Sequence, residues 1–145
     1  MTDFDQCLTR RSFIAASGAV AAGLIATGCA VSAVYRVPLQ DGRITVDPKD
    51  YPELGKPGGA VVLRADALED AVILVNLDGG TYKALSAACT HLRCTVRISR
   101  QFLTCPCHGS TFALTGEVLR GPAERPLKTY RVQMSHHALY IDTIE

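Results

Sequence analysis

The sequence predicts an all-β, sandwich-like domain, preceded by one hydrophobic helix at the N-terminus. Three observations predict it. No segment after Tyr35 keeps a helical period, short runs rich in β-branched and aliphatic residues recur between Gly, Pro and Asp, and residues 13–35 form an uncharged stretch rich in Ala and Gly. With 145 residues the chain has room for one domain of ordinary size, and it shows no internal repeat or low-complexity tract.

The elements follow in order. Thr9-Arg10-Arg11-Ser12-Phe13-Ile14 has the form of a twin-arginine export motif. The uncharged stretch behind it is long enough to cross a bilayer, for which roughly 20 residues suffice. Residues 1–34 are therefore expected to be a twin-arginine signal or membrane anchor, with Arg10 and Arg11 on the cytoplasmic side and the domain outside. Three fates stay open for this segment: retention as an anchor, lipidation of Cys29 behind Ala26-Thr27-Gly28, or cleavage after Ala33. Residues 35–42 are expected to be a linker or hinge, with a surface loop packed on the domain as the equal alternative, and residues 43–145 the folded domain. Pro38, Pro48, Pro52 and Pro57 with Gly42, Gly55 and Gly58 break helices and suit a tether that passes, beyond Arg43, into a packed loop.

Strands are expected at 59–64, 71–77 and 81–87, with Asp78-Gly79 as a hairpin turn between the last two. A short pair at 95–98 and 101–104 should follow, and a closing hairpin at 131–134 and 138–142. His136 and His137 fall in its turn and read as ordinary exposed histidines. The net charge is +1 and aromatic residues make up only 6%. Nucleic-acid binding, which needs a basic stripe or a stacking platform, is excluded as a class.

Two loops carry the chemistry. Cys89-Thr90-His91-Leu92-Arg93-Cys94 and Cys105-Pro106-Cys107-His108-Gly109-Ser110 offer four cysteines and two histidines between residues 89 and 110. This spacing suits a Rieske [2Fe–2S] cluster, in which two thiolates hold one iron and two imidazoles the other. Each loop then supplies one Cys and one His: Cys89 with His91, and Cys105 with His108. The competing reading is a structural zinc module, which would take four ligands and leave two strong ones idle.

Both loops resemble the C-T-H-L-x-C and C-P-C-H-G-S boxes of Rieske proteins from cytochrome bc-type quinol oxidoreductases, and Gly121-Pro122-Ala123 resembles the proline loop that covers the cluster there. The resemblance runs from about Ile44 to the C-terminus. It implies a Rieske-type antiparallel β sandwich with a cluster-binding subdomain of two loops, and a disulfide between Cys94 and Cys107, a pair that oxygenase-type Rieske proteins lack. It further implies a Ser110 hydroxyl bonded to a cluster sulfur, Gly109 and Pro122 close to the cluster, and Leu92 docking beside His91 and His108 at a quinol pocket. High-potential members carry a tyrosine where this chain has Phe112, so one hydrogen-bond donor is missing and a lower potential is expected, suited to a quinol such as menaquinol. Arg93 stands where the family often has glycine. Its cation could favour the reduced cluster, alter docking, or be a solvated rim charge, as Arg97 and Arg100 could be.

The functional expectation is one-electron transfer on the outer face of the membrane, from quinol to a cytochrome, as a subunit of a quinol:cytochrome c oxidoreductase and not as a stand-alone enzyme. A cluster built in the cytoplasm must cross the membrane inside a folded domain, which the twin-arginine export machinery allows. Partners would be a quinol-oxidising cytochrome b-type subunit and a c-type cytochrome, because no C-x-x-C-H haem site occurs in this chain. The alternative is the small Rieske subunit of a periplasmic oxidoreductase of the arsenite-oxidase kind, which the compact spacing between the boxes keeps open.

Overall fold

The computed structural model describes residues 33–144. The expected twin-arginine signal or anchor as far as Ser32, with Cys7 and Cys29, lies outside the described residues. Eleven strands are present among those described: β1 (Val34–Arg36), β2 (Arg43–Val46), β3 (Ala60–Arg64), β4 (Val72–Asn76), β5 (Tyr82–Ser86), β6 (Arg97–Ser99), β7 (Phe102–Thr104), β8 (Thr111–Ala113), β9 (Val118–Arg120), β10 (Thr129–Ser135) and β11 (Ala138–Asp142). Two short 3-10 turns, Pro48–Asp50 and Pro52–Gly55, are the helical content among these residues. No helix there is long and apolar enough to cross a membrane.

The strands form two sheets. A seven-stranded sheet runs β1-β3-β4-β5-β10-β11-β2, and a four-stranded sheet runs β6-β7-β8-β9. All pairings are antiparallel except β1 with β3. Every residue of β4 is buried. A strand buried on one face should alternate, whereas one buried on both reads as a continuous apolar run. Val72 and Leu74 point into one core with Val61, Leu63, Ile44 and Ile141. Ile73 and Val75 point into a second core with Val62, Leu85, Val96, Leu103 and Phe112. The second core lies between the large sheet and the small one, which is how the small sheet is held. Each fully buried aliphatic side chain of this kind contributes roughly 1.5–3 kcal/mol.

Turn chemistry places the hairpins. The Asp78 carboxylate accepts from the amides of Gly80 and Thr81 at 3.1 and 2.7 Å and from the Thr81 hydroxyl at 2.9 Å, closing the β4–β5 turn as expected. Those donors, the Thr81 amide foremost, hold its carboxyl below the usual carboxylate range. At the β10–β11 turn His136 and His137 are exposed and adopt positive φ of 48° and 71°, the geometry a two-residue hairpin needs.

Of the two readings open for residues 35–42, a hinge or a loop packed on the domain, the contacts of residues 35–39 are those of a packed segment. β1 pairs with β3 in the register Tyr35↔Leu63, and the Val37 amide donates to the Arg64 carbonyl at 3.0 Å. Val37 is buried, Leu39 packs against the first core, and the Tyr35 hydroxyl donates to Glu53 at 3.0 Å. The single apolar residues Tyr35, Val37 and Leu39 alternate, but Pro38 and Gly42 mask a strand too short to show its period. Amide exchange tests this directly. Val37 is expected to be protected far beyond an unstructured peptide, whereas a free neck would leave it exchanging at the unprotected rate.

Candidate metal centre

Both boxes fold by one backbone pattern. In the first, the Arg93 amide donates to the Cys89 carbonyl at 2.8 Å and the Cys89 amide to the Cys94 carbonyl at 2.9 Å. In the second, the Gly109 amide donates to the Cys105 carbonyl at 3.0 Å and the Cys105 amide to the Ser110 carbonyl at 2.8 Å. The fifth residue of each loop turns left-handed, Arg93 with φ 59° and Gly109 with φ 75°. Glycine takes that conformation freely, whereas for arginine it costs about 1–2 kcal/mol. The Ala88↔Thr95 bridge and the ends of β7 and β8 anchor the two loops side by side.

This arrangement sorts the donors into two pairs. Cys89 and Cys105 are both buried, with free thiols. His91 and His108 are exposed, with ring centroids 4.9 Å apart and planes nearly perpendicular. Two thiols inside and two imidazoles at the rim match what a [2Fe–2S] cluster of mixed ligation requires. Burial pushes the Cys89 thiol up, with further push from Cys105, against donation from the His91 amide and the Ser110 hydroxyl. Binding iron here must therefore displace protons.

Cys94 and Cys107 form a disulfide across the boxes, Cα atoms 6.4 Å apart. Its sulfurs lie within 4.8 Å of the Cys105 sulfur. Ser110 is fully buried, and its hydroxyl oxygen accepts from the Ala123 amide at 3.0 Å, which pins the Gly121-Pro122-Ala123 loop to the second box. The Thr90 hydroxyl donates to the Arg125 carbonyl at 2.6 Å and ties the same loop to the first box. Leu92 stands 63% exposed at the tip beside the histidines. Phe112 is fully buried in the core that also contains Cys89 and Cys105.

Arg93 is not the unpaired rim cation the sequence allowed. Its guanidinium meets Asp70 at 3.0 Å and Glu69 at 3.1 Å, both from the connection between β3 and β4. Glu69 is 84% exposed, so that contact is worth little, well under about 1 kcal/mol; Asp70 is 25% exposed and is the stronger partner. Asp70, Thr90, His91, Arg93 and Arg125 line an open cleft of about 440 Å³ beside the first box. Sequence reasoning missed Asp70, Glu69 and Thr90. Nothing local marks the two acids, since they lie some twenty residues from the box and reach it only through the fold.

The family model for the Rieske [2Fe-2S] domain matches residues 37–131 of this chain. The chain belongs to that family. Among the curated relatives of this Rieske protein, the cytochrome b6-f complex iron-sulfur subunit of Chlorobaculum thiosulfatiphilum is 45% identical over 76 residues, covering 50% of the chain and 41% of the relative. The corresponding subunit of Synechococcus sp. (strain JA-3-3Ab) is 33% identical over 136 residues, covering 83% of the chain and 79% of the relative. The matched stretch is thus less than half the length of the Chlorobaculum protein. A chain of "Hyperthermophilic respiratory Complex III" superposes with TM-score 0.52 at 24% identity, covering 66% of this chain and 71% of that one. A chain of "Complex of reduced oxygenase and oxidized ferredoxin in carbazole 1,9a-dioxygenase" gives 0.56 at 18%, covering 72% and 95%. At that identity these two show the shared fold. The Rieske family and the paired donors together assign a [2Fe–2S] cluster as the cofactor.

The disulfide closes a 13-residue separation. Replacing both Cys94 and Cys107 by serine is expected to lower stability by about 2–4 kcal/mol in chemical denaturation of the oxidised, metal-free protein. An unchanged midpoint would mean that the remaining contacts between the boxes suffice.

Proposed function

We propose that this protein carries single electrons in a quinol-oxidising complex, with Cys89 and Cys105 ligating one iron and His91 and His108 the other. The observation that carries the reading is a pair of exposed imidazoles and a pair of buried thiols drawn from the same two loops, which the Cys94–Cys107 disulfide joins. The bound cluster supplies the one-electron carrier. The buried pair keeps water from the sulfur side, since Cys89 and Cys105 belong to the core. The rim pair offers imidazole nitrogens to solvent or to a docked hydroxyl, and exposed Leu92 gives that docking an apolar contact. Ser110 has its oxygen fixed by the Ala123 amide, which leaves its proton free to serve a cluster sulfur and to stabilise added negative charge there.

The donor is a quinol and the acceptor a c-type cytochrome in this proposal, supported by relatives that are subunits of cytochrome b6-f complexes. Export by the twin-arginine route to the outer face of the cytoplasmic membrane belongs to the same proposal. It is supported by the Arg10-Arg11 motif and by a disulfide that an oxidising compartment preserves. A second reading, the small subunit of a periplasmic oxidoreductase of the arsenite-oxidase kind, is favoured by one observation. Residues that would lengthen a mobile neck are bound into the sheet through β1, which suits a permanent partner interface.

An EPR-monitored redox titration of the cluster-loaded protein at several pH values tests these readings. A Rieske-type signal whose positive potential falls as pH rises is the expected result. A low potential that does not move with pH would favour the second reading, and a folded, iron-reconstituted sample without the signal would refute the ligand set. Phe112 packs where a tyrosine hydroxyl could serve the cluster. Because a hydrogen bond to a charged acceptor is worth about 1.5–3 kcal/mol, Phe112→Tyr is expected to raise the potential by on the order of 60–130 mV. A potential that stays put or drops would show that no sulfur lies within reach of the new hydroxyl.

A further inference from the structure

The repeated backbone pattern of the boxes isolates one difference between them. At the left-handed corner the second box has Gly109, which takes the conformation without cost, and the first has Arg93. The side chain that makes this corner costly also reaches out of the loop. Its Nη2 lies 3.0 and 3.1 Å from the two Asp70 oxygens and 3.1 Å from Glu69 Oε1. Asp70 also accepts from the Ser86 hydroxyl at 3.3 Å, and the Ser86 oxygen accepts from the Ala88 amide at 3.1 Å, immediately before Cys89. Asp70 therefore holds the first box directly at Arg93 and, through Ser86, reaches the amide of Ala88 just ahead of it. It is the only carboxylate among the described residues lining the cleft beside His91, where Arg93, Arg125 and Lys128 supply cations.

We propose that Asp70 and Arg93 form an electrostatic clamp that positions the His91 loop and sets the reduction potential of the centre, Asp70 masking the Arg93 charge. The inference rests on the cluster reading above. Reduction adds one negative charge at the centre, so a cation nearby favours the reduced form and an anion opposes it. The two partners must then act with opposite sign. Asp70 is mostly shielded from water and Glu69 is not, so the effect of Asp70 exceeds that of Glu69.

The test compares midpoint potentials of cluster-loaded wild type, Asp70→Asn, Arg93→Gly and the double variant, with EPR confirming the same centre in each. Glycine suits the φ of position 93, so Arg93→Gly is expected to fold. At fixed ambient potential the ratio of reduced to oxidised centre should rise about twofold or more in Asp70→Asn and fall by a similar factor in Arg93→Gly. Both shifts should shrink at high salt, and the double variant should lie between the single ones. A loop merely loosened by either change would move both variants the same way, and that result, or no shift in either, overturns the charge role. Glu69→Gln, at an exposed site, should give a smaller rise; a rise larger than that of Asp70→Asn would also overturn the assignment. Absence of the EPR signal from wild type would instead strike the cluster reading. The positioning half is then read in metal-free protein, where Asp70→Asn should speed exchange of the Arg93 amide about tenfold and unchanged exchange would overturn it.

Discussion

Cys89 and Cys105 belong to the apolar core that joins the two sheets, and the rest of the centre depends on that. The second core takes Ile73 and Val75 from β4, Leu85 from β5, and Leu103 and Phe112 from the small sheet, with both thiols in the same cluster. Packing that holds the small sheet on the large one therefore also fixes where the sulfurs sit. Interiors packed to crystal-like density leave little freedom for such groups. The donor atoms inherit the rigidity of the core without any loop of their own having to be stiff.

The histidines have the opposite environment. His91 and His108 stand at the rim, exposed, and their separation is fixed by what surrounds the loops. Three kinds of contact hold it: the Cys94–Cys107 disulfide across the boxes, the Thr90 and Ser110 hydrogen bonds to the proline loop, and the Arg93 ion pairs to the β3–β4 connection. The burial gradient from thiol to imidazole gives the centre one dry side and one wet side. That polarity suits a site that must hold a charged group inside a protein while passing electrons at its surface.

Arg93 shows how a departure from a family pattern can be compensated. Backbone symmetry between the boxes would place glycine at that corner, as it does at Gly109. The long side chain recovers part of the conformational cost through Asp70, which is buried enough for its charge to matter. Its effect on the centre therefore depends on a residue from another strand connection, and the box by itself assigns Arg93 the wrong electrostatic weight.

Much of the centre was legible in the sequence because its signals are local. The C-x-H and C-x-x-H spacings, the glycine at the second corner and the Asp78-Gly79 turn each act within a few residues, and the apolar runs of β3, β4 and β5 record burial on both faces. What only the tertiary structure decided was non-local. β1, β2, β8 and β9 have three or four residues each, too few to display a period, and they exist because a neighbouring strand supplies their hydrogen bonds. Tyr35 and Arg36, at the start of the segment that read as a linker or a packed loop, joined a strand for that reason, by pairing with β3. Asp70 became part of the centre because folding brought a distant carboxylate against Arg93. Sequence spacing fixes which donors a loop can offer; the charges that surround them are set by segments that meet only once the chain has folded.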